Sequence, residues 1–316
     1  MAIKAFRGMH PFSQLLFSLF VILVTFLVII IAAFIIAIPA YGLNPMINQF
    51  TSIDYSNPET ISLLKFMQTV QSVGLFLVPP FVIAYLFQGS VKKYLKLNLN
   101  FKLNLVLMAF LLIIAANPAI NFLGSVNESM RLPEWMAGIE AKMKEMEENA
   151  DFILDKFMDV KTTGGLLFNV LMIAVIPALG EEFLFRGVFQ RIFSEWTKNY
   201  HWGIWISAIL FSALHMQFYG FIPRMILGAL FGYMLVWSGS IWIPVLAHFF
   251  NNAAGVIGMY LINAGKINSK IEDIGSGAEQ LPVAIVSIIL TCVLLYLIYK
   301  QSGKQPDNQI TRGDSC

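Results

Sequence analysis

Glu181, Glu182 and Arg186, then His215, then His248 and Asn252, are the residues of this chain whose types and spacing suit chemistry. Two adjacent carboxylates in a low-dielectric setting resist ionising together unless a cation such as a guanidinium compensates. Glu182 and Arg186 stand four apart, so on a helix they share a face and can pair, while Glu181 points about 100° further round. His248 and Asn252 are also four apart, as are Phe211 and His215, with Ser207 one turn earlier. Together they form a set of acid, base and orienting groups. Such a set can activate water against a carbonyl. One glutamate takes the proton, a histidine holds the water, and the Asn252 amide with His248 meets the developing oxyanion. The same residues also suit a zinc ion, since Glu, His and His with water is a recognised catalytic set and His215 and His248 would be the ligands. The H-E-x-x-H pattern is absent, so spacing does not select a metal. Buried carboxylates and histidines also serve as proton relays, so a transporter is a rival of another class, as is a non-catalytic immunity scaffold. No repeated half with matching broken helices supports the transporter.

The elements that must position these groups are membrane helices. The 316 residues are 57% apolar and 13% charged, with a mean hydropathy of +0.70. A soluble domain carries about 25% charged residues, and intrinsic disorder needs low hydrophobicity and high charge. A net charge of +2 offers no basic face for nucleic acid. A bilayer-spanning helix needs about 20 mostly apolar residues. Runs of that kind are Leu15–Ala40, Gln68–Phe87, Leu103–Leu123, Gly164–Gly180 continuing into Phe183–Phe193, Ile204–Met216, Ile222–Trp237, Ile241–Ile262 and Leu281–Tyr299. The fifth and sixth are short enough to be buried by neighbours instead of lipid. The expected fold is all-α, a polytopic membrane helix bundle of about eight spans.

Charge sets its expected orientation. With the N-terminus inside, inner segments carry Lys4, Arg7, Lys92, Lys93, Lys96, Lys102, Arg186, Arg191, Lys198, Lys300, Lys304 and Arg312. Most basic residues assigned outside lie in one long loop, which counts little in the positive-inside rule. Both termini are therefore expected in the cytoplasm. The long loop, about Asn127 to Lys161, has nine Asp/Glu against five Lys/Arg and apolar residues at near-helical spacing. It reads as amphipathic helix on the membrane surface or over the bundle, either a solvated connector or a lid. Asn127-Glu128-Ser129 fits a glycosylation acceptor, a pattern common by chance. The organisation read from this is 1–126 for three N-terminal spans, 127–161 for the acidic loop, 162–262 for the chemistry-bearing helices, and 263–316 for the last span and tail.

Depth follows from a rise of about 1.5 Å per residue, which places Glu182 roughly 20 Å from an inner edge near Trp196 and His215 roughly 17 Å from one near Ile204. His248 and Asn252 fall roughly 10 and 17 Å from an edge near Ile241. The polar stripes therefore meet at similar depth, in a cavity expected to open on the cytoplasmic side. Pro177 and Gly180 warn of a bend in the fourth helix.

Three motifs now stand in order: E-E-x-x-x-R at Glu181–Arg186, F-x-x-x-H at Phe211–His215, and H-x-x-x-N at His248–Asn252. In this order and spacing, across about 72 residues, they resemble the CPBP intramembrane proteases. That family covers type II CAAX prenyl endopeptidases and bacterial relatives tied to bacteriocin processing or immunity. The resemblance covers roughly Gly164–Leu261. It implies an eight-helix membrane endopeptidase in which Glu181 activates a water bound by His215. His248 and Asn252 would form the oxyanion site, and Glu182 and Arg186 would support the geometry. The family is often labelled metallopeptidase, and a metal-independent glutamate mechanism is the favoured implication, so no cofactor is required and a zinc-dependent version is the alternative. Implied partners are the lipid bilayer and a peptide or protein substrate entering from the membrane or the cytoplasmic side. A bacterial plasma membrane suits the short tails better than an organelle does.

Overall fold

The computed structural model describes residues 6–48, 53–99, 101–271 and 273–302, so Lys4, Lys304, Arg312 and Cys316 lie outside the described residues. The described chain is helical throughout, with no strand among the described residues. Seven helices are long and apolar enough to cross a membrane: α1 (Pro11–Tyr41), α2 (Pro58–Gln88), α3 (Leu103–Ser129), α5 (Thr163–Thr197), α7 (Phe221–Ser238), α8 (Trp242–Asn263) and α9 (Ala278–Ser302). Two more helices complete the frame, α4 (Ala137–Met158) and α6 (Tyr200–Ala213). The expected fifth span is therefore corrected. At 14 residues α6 is too short to cross alone. It lies between α5 and α7, so neighbouring helices bury its apolar residues Ile204, Ala208 and Phe211.

The outer helices show why the sequence requires a bilayer. On α1, Leu19, Phe20, Leu23, Ile31, Ile35 and Ile36 are exposed, and α9 exposes Ile285, Ile288, Ile289 and Val293. Each such side chain held in water forfeits about 1.5–3 kcal/mol of burial free energy. In lipid that loss disappears, and a helix satisfies its own backbone. Local signals set the ends. His10 Nδ1 accepts from Phe12 N at 3.3 Å to start α1, and Asn199 Oδ1 accepts from His201 N at 2.8 Å to start α6.

Inside the bundle the helices are not regular. In α2 a wide π turn covers Val73–Leu77, just before Pro79 and Pro80, which have no N–H to return to the ladder. In α5, π segments at Val170–Val175 and Glu182–Phe189 flank the α-helical Ile176–Glu181, which holds Pro177. Such π insertions inside α-helices occur frequently at functional sites. Gly180 makes the contact between these two helices. A Cβ there would stand 2.9 Å from Phe76 Cβ and 3.0 Å from Leu77 N, so only glycine lets α2 approach α5 beside Glu181. The bend expected at Pro177 and Gly180 thus takes the form of π turns and one close helix crossing.

The acidic segment forms one largely exposed helix that is tied to an end of the bundle at its C-terminal turn and near its middle. Lys65 Nζ on α2 donates to Phe157 O (2.8 Å) and Asn169 Oδ1 (3.0 Å), and Asn169 Nδ2 donates to Phe157 O (2.7 Å), which pins the C-terminal turn of α4. Tyr219 N donates to Glu147 Oε2 (3.0 Å), which ties the middle of α4 to the turn after α6. Asn127 is no glycosylation acceptor here. It is buried, its Nδ2 donates to Phe218 O (3.0 Å), and its Oδ1 accepts from Ile222 N (2.8 Å) at the start of α7.

Candidate active site

Glu182 is wholly buried and stands at the centre of a charged cluster. Its Oε1 is 2.8 Å from Arg186 Nη1, one turn along α5, at an angle that makes the contact an ion pair and not a hydrogen bond. The same Oε1 accepts from His248 Nδ1 on α8 at 2.8 Å. A carboxylate only accepts, so the Nδ1 of His248 carries a hydrogen and its Nε2 faces away from Glu182. That Nε2 is 3.8 Å from Glu181 Oε2, beyond direct hydrogen-bond range.

Arg186 is 2% exposed. Its Nη2 donates to Gly228 O on α7 (3.1 Å), and its guanidinium lies 4.6 Å from the Phe211 ring and 5.5 Å from the Phe231 ring. The expectation that Arg186 counts among the juxtamembrane positive charges is thereby corrected: it is a core residue paired to Glu182. Gly228 permits this, because a Cβ there would sit 3.2 Å from Arg186 Nη2 and 3.3 Å from Ala208 Cβ. One turn on, Gln190 Nε2 donates to Gly232 O (3.3 Å). The sequence reading missed Gly228, Gly232 and Gln190. The signal was present as Gly228-x-x-x-Gly232, a small-residue spacing that lets membrane helices approach closely.

The other predicted residues face a shared space. A cavity of about 620 Å³ has Glu181, His215, His248 and Asn252 in its wall. That size lies within the range of ligand pockets, about 300–1,000 Å³. His215 sits in the turn that ends α6, and its Nδ1 donates to Phe211 O at 2.8 Å. A carbonyl only accepts, so the neutral ring keeps its Nε2 lone pair for another partner. Asn252 Nδ2 donates to Ile173 O (3.1 Å) in the first π segment of α5, which turns the carboxamide into the cavity wall. The His248 ring lies flat against Phe231, with centroids 5.2 Å apart. Ser207 is taken up elsewhere, its Oγ donating to Phe185 O (2.8 Å).

The six residues divide into two layers. Glu181, His215, His248 and Asn252 reach the cavity, while Glu182 and Arg186 lie behind its wall and fix His248. The remaining wall includes Ile153, Leu154 and Phe157 of α4. The cavity is therefore bounded by the helix that follows α3 and precedes α5. It lies toward the bundle end opposite the Lys92–Lys102 connection and the turn between α5 and α6. The depth estimate had it open at that second end. The estimate ignored α4, whose apolar face had no fixed position in the sequence. His10 and His201 lie at helix ends away from the cavity, as expected of interface residues; His201 Nδ1 meets Tyr233 OH at 2.8 Å.

Among the described residues, no three His, Cys, Asp or Glu side chains converge with metal-ligand spacing. The Nδ1 atoms of His215 and His248 are already committed to Phe211 O and Glu182. Their Nε2 atoms and Glu181 do not form a ligand group.

Comparison with known proteins gives two relatives and one family. "Uncharacterized protein YpbD" of Bacillus subtilis is 32% identical over 89 residues, 27% of this chain and 42% of that protein. "Uncharacterized 24.3 kDa protein" of Escherichia coli is 27% identical over 192 residues, 55% of this chain and 85% of that protein. The chain thus spans less than half of the first relative and most of the second. No solved structure matches the chain. Residues 163–254 match the family described as type II CAAX prenyl endopeptidase Rce1-like, and that segment contains all six residues from Glu181 to Asn252. Over residues 163–254 this membrane chain is therefore similar to the type II CAAX prenyl endopeptidase Rce1-like family.

Proposed function

We propose that the protein is an intramembrane endopeptidase that hydrolyses a peptide bond with a glutamate-activated water and no resident metal. The observation that carries the reading is the convergence of Glu181, His215, His248 and Asn252 on one cavity, with Glu182 and Arg186 held behind. Glu181 takes a proton from water, and His215 holds that water through its Nε2 lone pair. The water oxygen adds to the scissile carbonyl carbon. The oxyanion is met by Asn252 Nδ2–H, with the His248 ring beside it in the cavity wall. Glu181 then gives its proton to the departing amine as the C–N bond breaks. Adding and returning one proton leaves the enzyme unchanged.

Glu182 holds His248 and neutralises Arg186 in this scheme, so it does not take part in proton transfer. The side of the membrane follows from charge. Short connections at one end carry Lys92, Lys93, Lys102 and Lys198, and α4 at the other end is acidic. By the positive-inside rule the basic end is cytoplasmic, and the α4 end with its cavity belongs to the opposite face. Substrate would then arrive from within the bilayer or from that face.

The test is peptidase activity of the purified protein in lipid nanodiscs on C-terminal peptides, prenylated and plain. Cleavage by wild type that is absent in folded Glu181→Ala and His215→Ala supports the reading. Equal rates in wild type and both variants overturn it.

A further inference from the structure

Asn251 lies in the cavity wall beside Asn252 and has no part in the chemistry described above. Its Nδ2 donates to Asn252 Oδ1 at 3.2 Å. At the other end of the same carboxamide, Asn252 Nδ2 donates to Ile173 O at 3.1 Å. Ile173 O is open to a side-chain donor for a reason written in the sequence. Four residues further along stands Pro177, which has no N–H to close an α-helical bond to that carbonyl.

These two bonds decide which way round the Asn252 carboxamide sits. A carboxamide turned by half a revolution keeps its shape and exchanges its acceptor end for its donor end. A backbone carbonyl only accepts, so the end facing Ile173 is Nδ2. The Nδ2 of Asn251 only donates, so the end facing it is Oδ1. One N–H of Asn252 is spent on Ile173 O, and the other has no hydrogen-bond partner among the described residues, which leaves it for the oxyanion. Reversing the group would set oxygen against oxygen and nitrogen against nitrogen, and would withdraw that donor. The Asn251 bond also acts on strength. A hydrogen bond accepted at an amide oxygen draws charge toward that oxygen and makes its N–H a better donor, a polarisation worth about 10–30% per bond in a chain. We propose that Asn251 is a positioning residue: by donating to Asn252 Oδ1 it locks and polarises the carboxamide whose Nδ2–H stabilises the oxyanion. This assignment rests on the endopeptidase reading and adds to it a residue that acts through Asn252.

The oxyanion exists only after water has added, so the loss of Asn251 should fall on kcat and spare KM. On a peptide that wild type cleaves, Asn252→Ala should lose roughly 10²–10³-fold in kcat, the usual worth of one oxyanion donor. Asn251→Ala should lose part of that, roughly five- to fiftyfold, with KM within about twofold of wild type. Asn251→Leu, which keeps the branched shape without the donor, should match Asn251→Ala. Asn251→Gln, which keeps the donor, should recover part of the rate. The double variant Asn251→Ala/Asn252→Ala should be no slower than Asn252→Ala, because nothing is left to position. A merely structural role would instead lower the thermal midpoint and multiply with the loss at Asn252. An unchanged kcat in Asn251→Ala, a loss confined to KM, or a double variant slower than Asn252→Ala by the full Asn251 factor overturns the proposal and leaves the peptidase reading standing.

A second readout needs no turnover. Fluorescent peptides carrying a phosphonate in place of each backbone amide in turn present a tetrahedral anion like the one formed in the reaction. Anisotropy in nanodiscs should show one of them binding wild type more tightly than either Asn251→Ala or Asn252→Ala, while the parent peptide binds all three alike. If wild type cleaves no peptide but that phosphonate still prefers it, the peptidase reading fails and the Asn251–Asn252 pair stands as an anion site. If no phosphonate binds wild type more tightly than Asn251→Ala, the proposal fails.

Discussion

A single oxygen of Glu182 holds both Arg186 and His248: Oε1 is 2.8 Å from Arg186 Nη1 and 2.8 Å from His248 Nδ1. The other oxygen, Oε2, is buried with no hydrogen-bond partner among the described residues. The cluster is therefore strongly interdependent. Removing the carboxylate leaves a guanidinium buried among Phe211 and Phe231 with only Gly228 O to receive it. Breaking one partner out of a buried pair costs about 3–5 kcal/mol.

Glu182→Gln and Arg186→Met should each lower the thermal midpoint of the purified protein markedly, while the double variant Glu182→Gln/Arg186→Met should lower it by less than the sum of the two. Thermal unfolding of wild type and these three variants, read as a double-mutant cycle, measures the coupling. Additive effects would place the cluster's stabilising contacts elsewhere.

Glu181 differs from its neighbour in kind. Its side chain is 14% exposed to the cavity, and its nearest charged contact, His248 Nε2, is 3.8 Å away. Little of the fold depends on it. Glu181→Gln should keep the wild-type thermal midpoint and lose activity by roughly 10²–10⁴-fold, the usual contribution of a general base. The same substitution at Glu182 should reduce both. A steady-state kinetic comparison beside melting curves separates the two adjacent glutamates, which spacing alone left undecided.

Both His215 and His248 spend their Nδ1 atoms on protein acceptors, and no third donor joins them in a ligand set among the described residues. On the metal-free mechanism proposed above, peptidase activity should persist after incubation with a strong chelator and removal of free metal. Loss of activity that zinc alone restores would require His215 and His248 to be ligands and would end the metal-free mechanism.

Gly180 offers a test of the framework instead of the chemistry. A methyl group at this position meets the backbone of Phe76 and Leu77 at 3.0 Å, where neither can move freely. Gly180→Ala should destabilise the protein by about 1–3 kcal/mol, the usual cost of overpacking. Activity should fall further than stability accounts for, because α2 and α5 part beside Glu181. Gly124→Ala, which meets nothing within 4 Å, is the control expected to change neither.

The helices and the polar stripes were legible in the sequence for a physical reason. An apolar run of span length has one stable form in lipid, and an i,i+4 pair such as Glu182 and Arg186 has one face. What was not legible depends on contacts between distant segments. The π turns of α5 change which residues reach the cavity, and local spacing does not encode them. Arg186 was ambiguous because a guanidinium near a helix end reads as a surface charge until Gly228 and the rings of Phe211 and Phe231 are in place. Helix α4 carried an amphipathic pattern that fits a membrane surface as well as a bundle. Lys65 and Tyr219 decide between them, and neither belongs to the α4 sequence.

The position of α4 also yields the prediction about sidedness. Lys142 and Lys144 lie on its exposed face, and Lys198 lies in the turn between α5 and α6 at the other end of the bundle. By the positive-inside rule the Lys198 end is expected in the cytoplasm, since Lys92, Lys93 and Lys102 accompany it in short connections that the rule weights most. With Cys292 and Cys316 replaced by serine, Lys142→Cys should react with a membrane-impermeant maleimide on intact cells. Lys198→Cys should react only after the membrane is opened. Because Ile153, Leu154 and Phe157 of α4 line the cavity, this pattern also assigns the side from which a non-lipid substrate reaches Glu181. The reverse labelling pattern would turn the cavity toward the cytoplasm.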